Sequence, residues 1–155
     1  MDAHKGLTMS GFARRFLALG FVALALHAMW ERMHVPLYTG YAHLTELPII
    51  YYAVLGDVFY TLVAVLFIGL FKGRVLWFVA PSGRDIAGLV VLGFWIALFV
   101  EYKALALGRW AYLDAMPIVP FLGVGLSPLI QMMLLLPLSV FLAAEVDKAL
   151  RRLAW

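Results

Sequence analysis

Apolar residues gather in four blocks along this chain, about 16–34, 48–71, 86–107 and 121–144, and short stretches between them hold most of the charges. Each block supplies the roughly 20 residues that an α-helix rising about 1.5 Å per residue needs to cross about 30 Å of hydrocarbon. Lipid offers backbone N–H and C=O groups no partners, and the blocks lack the alternation of a closed barrel, so the pattern predicts helices. The expected fold is all-α: a polytopic membrane protein with four transmembrane helices in one bundle, a single domain over residues 1–155.

Local punctuation sets the edges of these helices. Pro36 and Gly40 stop the first, Pro81-Ser82-Gly83 makes the turn between the second and third, and Gly108, Pro117 and Pro120 shape the connection to the fourth. Asp85 is placed to cap the third helix, where a carboxylate also favours the positive dipole end. Gly123, Gly125 and Pro128 at the head of the fourth block predict a broken helix start, of the kind that lines binding sites.

Charge orients the bundle. Lys5, Arg14 and Arg15 precede the first block, Lys72, Arg74 and Arg84 lie between the second and third, and Lys148, Arg151 and Arg152 come at or beyond the end of the fourth. Only Arg32, Lys103 and Arg109 fall on the other side, and cationic loops stay cytoplasmic. Both termini are therefore expected in the cytoplasm of a bacterial inner membrane. Arg14-Arg15-Phe16-Leu17, with Ala23 and Ala25 as small residues, also fits a cleaved export signal. A signal's apolar region runs only about 7–15 residues, and this one continues past the cut, so the block is read as a span.

Ionisable groups inside a membrane are costly and point to function. With four crossings, His27, Glu31 and His34 in the first span, Asp57 in the second, Glu101 in the third and Gln131 in the fourth all fall in the outer half of the bilayer or at its outer surface. At about 100° per residue, His27, Glu31 and His34 share an arc of roughly 60° on one helix, with Trp30 among them. Such a stripe faces the bundle interior or a cavity rather than lipid. Three chemistries fit it. His27, Glu31 and His34 can ligate a divalent metal, helped by Asp57 and Glu101. The same groups without metal form an acid and a base that shift a proton on an apolar substrate. They can also relay protons in a transporter. Against these stands plain interhelical hydrogen bonding, with Gln131 as glue, Glu31 paired to Arg32, and Glu101 paired to Lys103 or Arg109. A single Glu-x-x-His is half of a di-iron motif, and haem lacks a second deep histidine unless the protein dimerises.

A second group of candidates follows the third span. Arg109 has the planar fork that suits a lipid phosphate or carboxylate, and Trp110 and Tyr112 stand beside it. Tyr38, Tyr41, Tyr51, Tyr52, Tyr60, Tyr102 and Tyr112 all fall toward the outer side, as an aromatic belt at the headgroups would. His43 and Glu46 are expected to be solvated in a loop. His27-x-x-Trp30-Glu31, Gly108-Arg109-Trp110-x-Tyr112, Met116-Pro117 and Gly125-x-x-Pro128-x-x-Gln131 together resemble a pattern in small bacterial four-helix membrane proteins of unassigned function. That resemblance touches most of the chain and implies the fold but no activity. Carotenoid-modifying membrane enzymes are a more distant likeness, and the carboxylate motif of lycopene cyclases is not evident here.

Composition narrows these choices. Among 155 residues 65% are hydrophobic and 14% charged, against about a quarter charged in soluble domains. The absence of cysteine removes disulfides, thiolate metal sites, thiol nucleophiles and iron-sulfur clusters. The net charge of +3 sits at span ends, where topology explains it, so it implies no nucleic-acid partner. The expected partner is a membrane lipid or apolar small molecule, with oligomers allowed. The expected function is that of an integral membrane protein whose outward-facing polar pocket binds a lipid or isoprenoid-like molecule, with acid-base or metal-assisted chemistry on that molecule as the enzymatic form of the reading. His27, Glu31, Asp57 and Glu101 are the candidate reacting groups, and Trp30, Arg109, Trp110, Tyr112 and Gln131 the candidate substrate contacts. A proton-coupled transporter or channel component, or a non-catalytic accessory subunit, are the alternatives.

Overall fold

A computed structural model describes residues 9–39 and 49–153 of the chain. Lys5, Gly40, Tyr41, His43 and Glu46 lie outside the described residues. Four helices, α1 (Met9–His34), α2 (Ile49–Lys72), α3 (Gly83–Ala106) and α4 (Leu126–Leu153), are each long and apolar enough to cross a membrane. They pack together as a four-helix bundle, and the protein is a multi-pass membrane protein. Four two-residue strands sit at one end: β1 (Tyr38–Thr39), β2 (Ala111–Tyr112), β3 (Ile118–Val119) and β4 (Val124–Gly125).

The helix ends follow from local chemistry, with two departures from expectation. At α3 the N-cap is Ser82, whose hydroxyl accepts from the Asp85 N–H, while Asp85 accepts from the Ser82 N–H at 2.8 Å. Asp85 is thus the reciprocal member of a capping box rather than the cap itself, which frees its other oxygen for Lys72 Nζ at 2.6 Å. Ser82→Ala is expected to lower stability by about 1 kcal/mol, read as a fall in the midpoint of thermal unfolding in detergent; an unchanged midpoint would show that Asp85 caps alone. The other departure is at α4. Residues 118–125 pair as the β3–β4 hairpin, Ile118 with Gly125 and Val119 with Val124, and the Leu126 N–H reaches the Pro117 carbonyl at 2.7 Å. The helix therefore starts at Leu126 rather than near Phe121, and Pro128 falls in its first turn, where a missing N–H removes no intrahelical bond. No broken helix start is needed.

The end of α3 aims the chain at the site. Gly108 takes φ 60°, and two closing bonds, Gly108 N–H to Leu105 O at 3.1 Å and Arg109 N–H to Ala104 O at 2.9 Å, form a Schellman cap. A side chain in that left-handed conformation would be strained, so glycine fixes where Arg109, Trp110 and β2 emerge. Strand β2 then pairs antiparallel with β1, Tyr38 opposite Tyr112, and ties the end of α1 to the approach to α4.

Contacts between helices are uneven. α1 runs against α4 over its length: Arg14 and Arg15 meet Asp147 at one end, and His34 meets Ser127 at the other. α3 and α4 come closest at Gly93, where a Cβ would lie 2.5 Å from the Met132 carbonyl oxygen. α2 and α3 share the least of the neighbouring pairs. They meet beside their connecting turn, through Lys72 with Asp85 and Gly88 near Ile68, and part toward the other end. The half of the bundle nearer the termini is packed with Leu19, Val65, Trp77, Phe78, Leu89 and Val140, all buried. Trp77 fixes the α2–α3 turn onto this core by donating Nε1–H to the Val65 carbonyl at 2.8 Å.

Candidate functional site

The gap between α2 and α3 holds a cavity of about 440 Å³, within the usual range for small-molecule sites. Three carboxylates line it, Glu31 from α1, Asp57 from α2 and Glu101 from α3, together with Gln131 of α4. Ala97, Val100 and Ala104 present small apolar side chains on α3, and Tyr52 and Tyr60 flank the opening on α2. Lys103, Arg109 and Trp110 line the same cavity near the strands. All four helices thus contribute polar groups to one level of the bundle.

Gln131 is the centre of this arrangement. Its Nε2 donates to Glu31 Oε1 at 2.9 Å and to Asp57 Oδ2 at 2.7 Å. A carboxamide has two N–H donors, so both are committed and two carboxylates from different helices are held by one nitrogen. His27, 0% exposed, lies behind: its Nδ1 is 3.2 Å from Asp57 Oδ2 and its Nε2 is 3.4 Å from Thr61 Oγ1. With both Gln131 hydrogens used, the contact of Nε2 with His27 Nδ1 at 3.3 Å is proximity, and Nδ1 belongs to Asp57. With Nε2–H donating to the Thr61 hydroxyl oxygen, which fixes the ring, Nδ1 is left to share a proton with Asp57 Oδ2. That is the arrangement an acid-base pair requires.

The half of the α1 stripe nearer the strands is organised differently. Trp30 can only donate, so its Nε1–H at 3.2 Å makes His34 Nδ1 an acceptor, and Ser127 Oγ stands 2.9 Å from the same atom. The His34 proton is therefore on Nε2, which donates to Glu31 Oε2 at 3.0 Å. Glu31 consequently receives one bond on each oxygen and needs neither Arg32 nor a metal. On α3, Glu101 accepts from the Tyr112 hydroxyl and from Trp110 Nε1, the latter at 3.4 Å. Burial, and then the neighbouring Glu101, push the Tyr112 phenol well above its ordinary value, so it stays a donor. Lys103 stands over the Phe99 ring and is no partner of Glu101.

Several expectations are corrected by this geometry. Among the described residues no group of three or more His, Asp or Glu side chains is placed to hold a metal ion. His27 points to Asp57 and Thr61, whereas His34 points to Glu31, Ser127 and Trp30, and the Gln131 N–H groups occupy the space between. An N–H donor at that centre disfavours a cation, so this geometry lends the metal reading of His27, Glu31 and His34 no support. Trp30 and Tyr112 do not line the cavity but hold His34 and Glu101 from behind. The pairs of Glu31 with Arg32 and of Glu101 with Lys103 or Arg109 are replaced by internal hydrogen bonds.

Three contributors were not singled out by the sequence as site residues. Thr61 lies one helical turn beyond Asp57, on the same face of an otherwise apolar α2, and that spacing was the available signal. Ser127 carried no signal apart from its proximity to Pro128. Tyr38, read only as part of an aromatic belt, is buried at the cavity, its ring 5.2 Å from His34 and 6.0 Å from Trp110. Comparison with known protein families, with curated proteins and with solved structures finds no match to this chain.

Proposed function

We propose that this protein is a membrane enzyme that moves a proton on a lipid or isoprenoid-like substrate held in the cavity between α2 and α3. The observation that carries the reading is Asp57: it is shared by Gln131 and His27 behind it, yet its side chain keeps 14% exposure to the cavity. A proton carried by the His27–Asp57 pair passes to the substrate, and a neighbouring carboxylate, Glu31 or Glu101, takes one back. The change is redox-neutral and uses no co-reactant, so a double-bond shift or similar isomerisation fits the groups present. The parting of α2 and α3 gives an apolar molecule a route from the bilayer, and Arg109 with Lys103 suits an anionic or strongly polar head.

The orientation proposed is that of the bacterial inner membrane, with both termini cytoplasmic and the cavity on the outer side. The bias of lysine and arginine toward the termini and the α2–α3 turn supports it. A proton-coupled transporter is favoured less, because a polar path across the bundle ends at Thr61. Beyond it stand Leu19, Val65, Leu89, Leu136 and Val140, and the buried Ser139 hydroxyl has no partner among the described residues.

Asp57→Asn tests the proposal, since it keeps the side-chain shape and removes the carboxylate. Membranes containing the wild type are expected to show a lipid species that is converted, and the variant to lose that conversion by about 10²-fold or more while folding normally. Mass spectrometry of lipid extracts and of lipid retained by the purified protein provides the readout. Identical lipid profiles for a folded Asp57→Asn and the wild type would leave these side chains as interhelical glue, the role of an accessory subunit.

A further inference from the structure

At the end of the bundle formed by the start of α1 and the end of α4, far from the cavity, three arginines converge on a single acid. Asp147, 2% exposed, is met by Arg14 Nη2 at 3.0 Å, Arg15 Nε at 3.2 Å and Arg151 Nη2 at 3.0 Å. One carboxylate is enough to anchor α1 to α4, and the three guanidinia over it leave two positive charges in excess. Arg14 is the least satisfied of the three. It spends one N–H on Asp147, its Nε is enclosed without an acceptor, and 41% of its side chain, the rest of the guanidinium included, remains open to a ligand.

A groove of about 460 Å³ runs up the outside of the same two helices. Its walls are Phe21, Val22 and Ala25 of α1 and Leu142, Val146 and Ala149 of α4, almost entirely apolar. Phe21 and Ala25 follow Arg14 by seven and eleven residues, which returns each to the same flank of the helix. Over that distance a helix rises roughly 16 Å, long enough to hold much of an acyl chain against protein. Glu145 at the rim is paired with Lys148 at 2.6 Å, so the rim adds no net negative charge.

We infer that this seam is a binding site for an anionic phospholipid, with the phosphate on Arg14 and one acyl chain in the α1–α4 groove. Charge selects the headgroup, because the net negative charge of an anionic phospholipid, which a zwitterionic one lacks, offsets part of the surplus positive charge while its phosphate accepts from the exposed part of Arg14. The groove selects a lipid over a soluble anion, because free phosphate has nothing to place along Phe21 and Ala25.

The test uses the full chain in mixed micelles containing phosphatidylglycerol or phosphatidylcholine, with bound lipid counted by native mass spectrometry. Phosphatidylglycerol is expected to be retained in preference by about fivefold or more. Arg14→Gln should bring that ratio close to one, and it should fold, because Arg15 and Arg151 still satisfy Asp147. Ala25→Trp, which fills the exposed groove without touching the cluster, should release the retained lipid as well. Arg152→Gln, the same charge change one residue past the cluster, should leave the preference intact. An unchanged preference in Arg14→Gln, an equal loss in Arg152→Gln, or displacement of the lipid by inorganic phosphate alone would each overturn the site.

Discussion

Gln131→Leu is expected to cost about 3 kcal/mol of stability and to abolish whatever reaction the cavity supports. The substitution keeps roughly the same volume but takes away two hydrogen bonds to carboxylates, each worth about 1.5–3 kcal/mol. Without the shared N–H donors, the acids of α1 and α2 are left facing each other at short range in a low-dielectric interior, where like charges repel strongly. Thermal unfolding in detergent measures the loss. A double-mutant cycle isolates its cause: in an Asp57→Leu background the further change Gln131→Leu should cost appreciably less, with a coupling of about 1 kcal/mol or more. Strict additivity of the two substitutions would mean that the carboxamide does not hold the acids, and the proposed acid-base centre would lose its frame.

Gly93→Val is expected to be comparably damaging for a different reason. Already at the Cβ, the new atom would meet the Met132 carbonyl oxygen at 2.5 Å, its carbon at 2.8 Å and the Met133 nitrogen at 3.0 Å. These are backbone atoms of α4 and cannot swing aside, so α3 and α4 must separate. Overpacking of this kind costs about 1–3 kcal/mol, and the displacement acts on the residue next to Gln131. The variant is therefore expected both to unfold at lower temperature and to lose the conversion proposed for the cavity. Gly20→Ala provides the contrast. Nothing lies within 4 Å of its Cβ, and alanine in a helix is favoured over glycine by about 1 kcal/mol, so it should be neutral or stabilising. If Gly93→Val proves as stable as Gly20→Ala, the close crossing of α3 and α4 is not real.

The two substitutions differ in how visible their positions are in the sequence. Gly93 sits in an unbroken apolar run and nothing local distinguishes it from Gly20 or Gly88, because the demand for a missing side chain comes from another helix. Gln131 was legible as a polar residue at membrane depth, but not as the hub. Its role depends on two acids about 74 and 100 residues away in sequence. The metal reading drew on the same kind of local signal. Three ligand-type side chains do share one face of α1, as helical periodicity requires, but where each points is decided by Asp57, Thr61, Ser127 and Gln131 on α2 and α4.

By itself the sequence determined the four spans, since uninterrupted apolar blocks of bilayer length admit no other fold in lipid, and it marked the polar stripe of His27, Glu31 and His34, since spacing along one helix is a local property. Only the tertiary structure decided that α2 and α3 part to open a cavity, that β1 and β2 close over Glu101, and that a carboxamide rather than a cation joins the acids. Those outcomes depend on how helix surfaces fit together, and side-chain fit between distant segments is not encoded in any local pattern of residues.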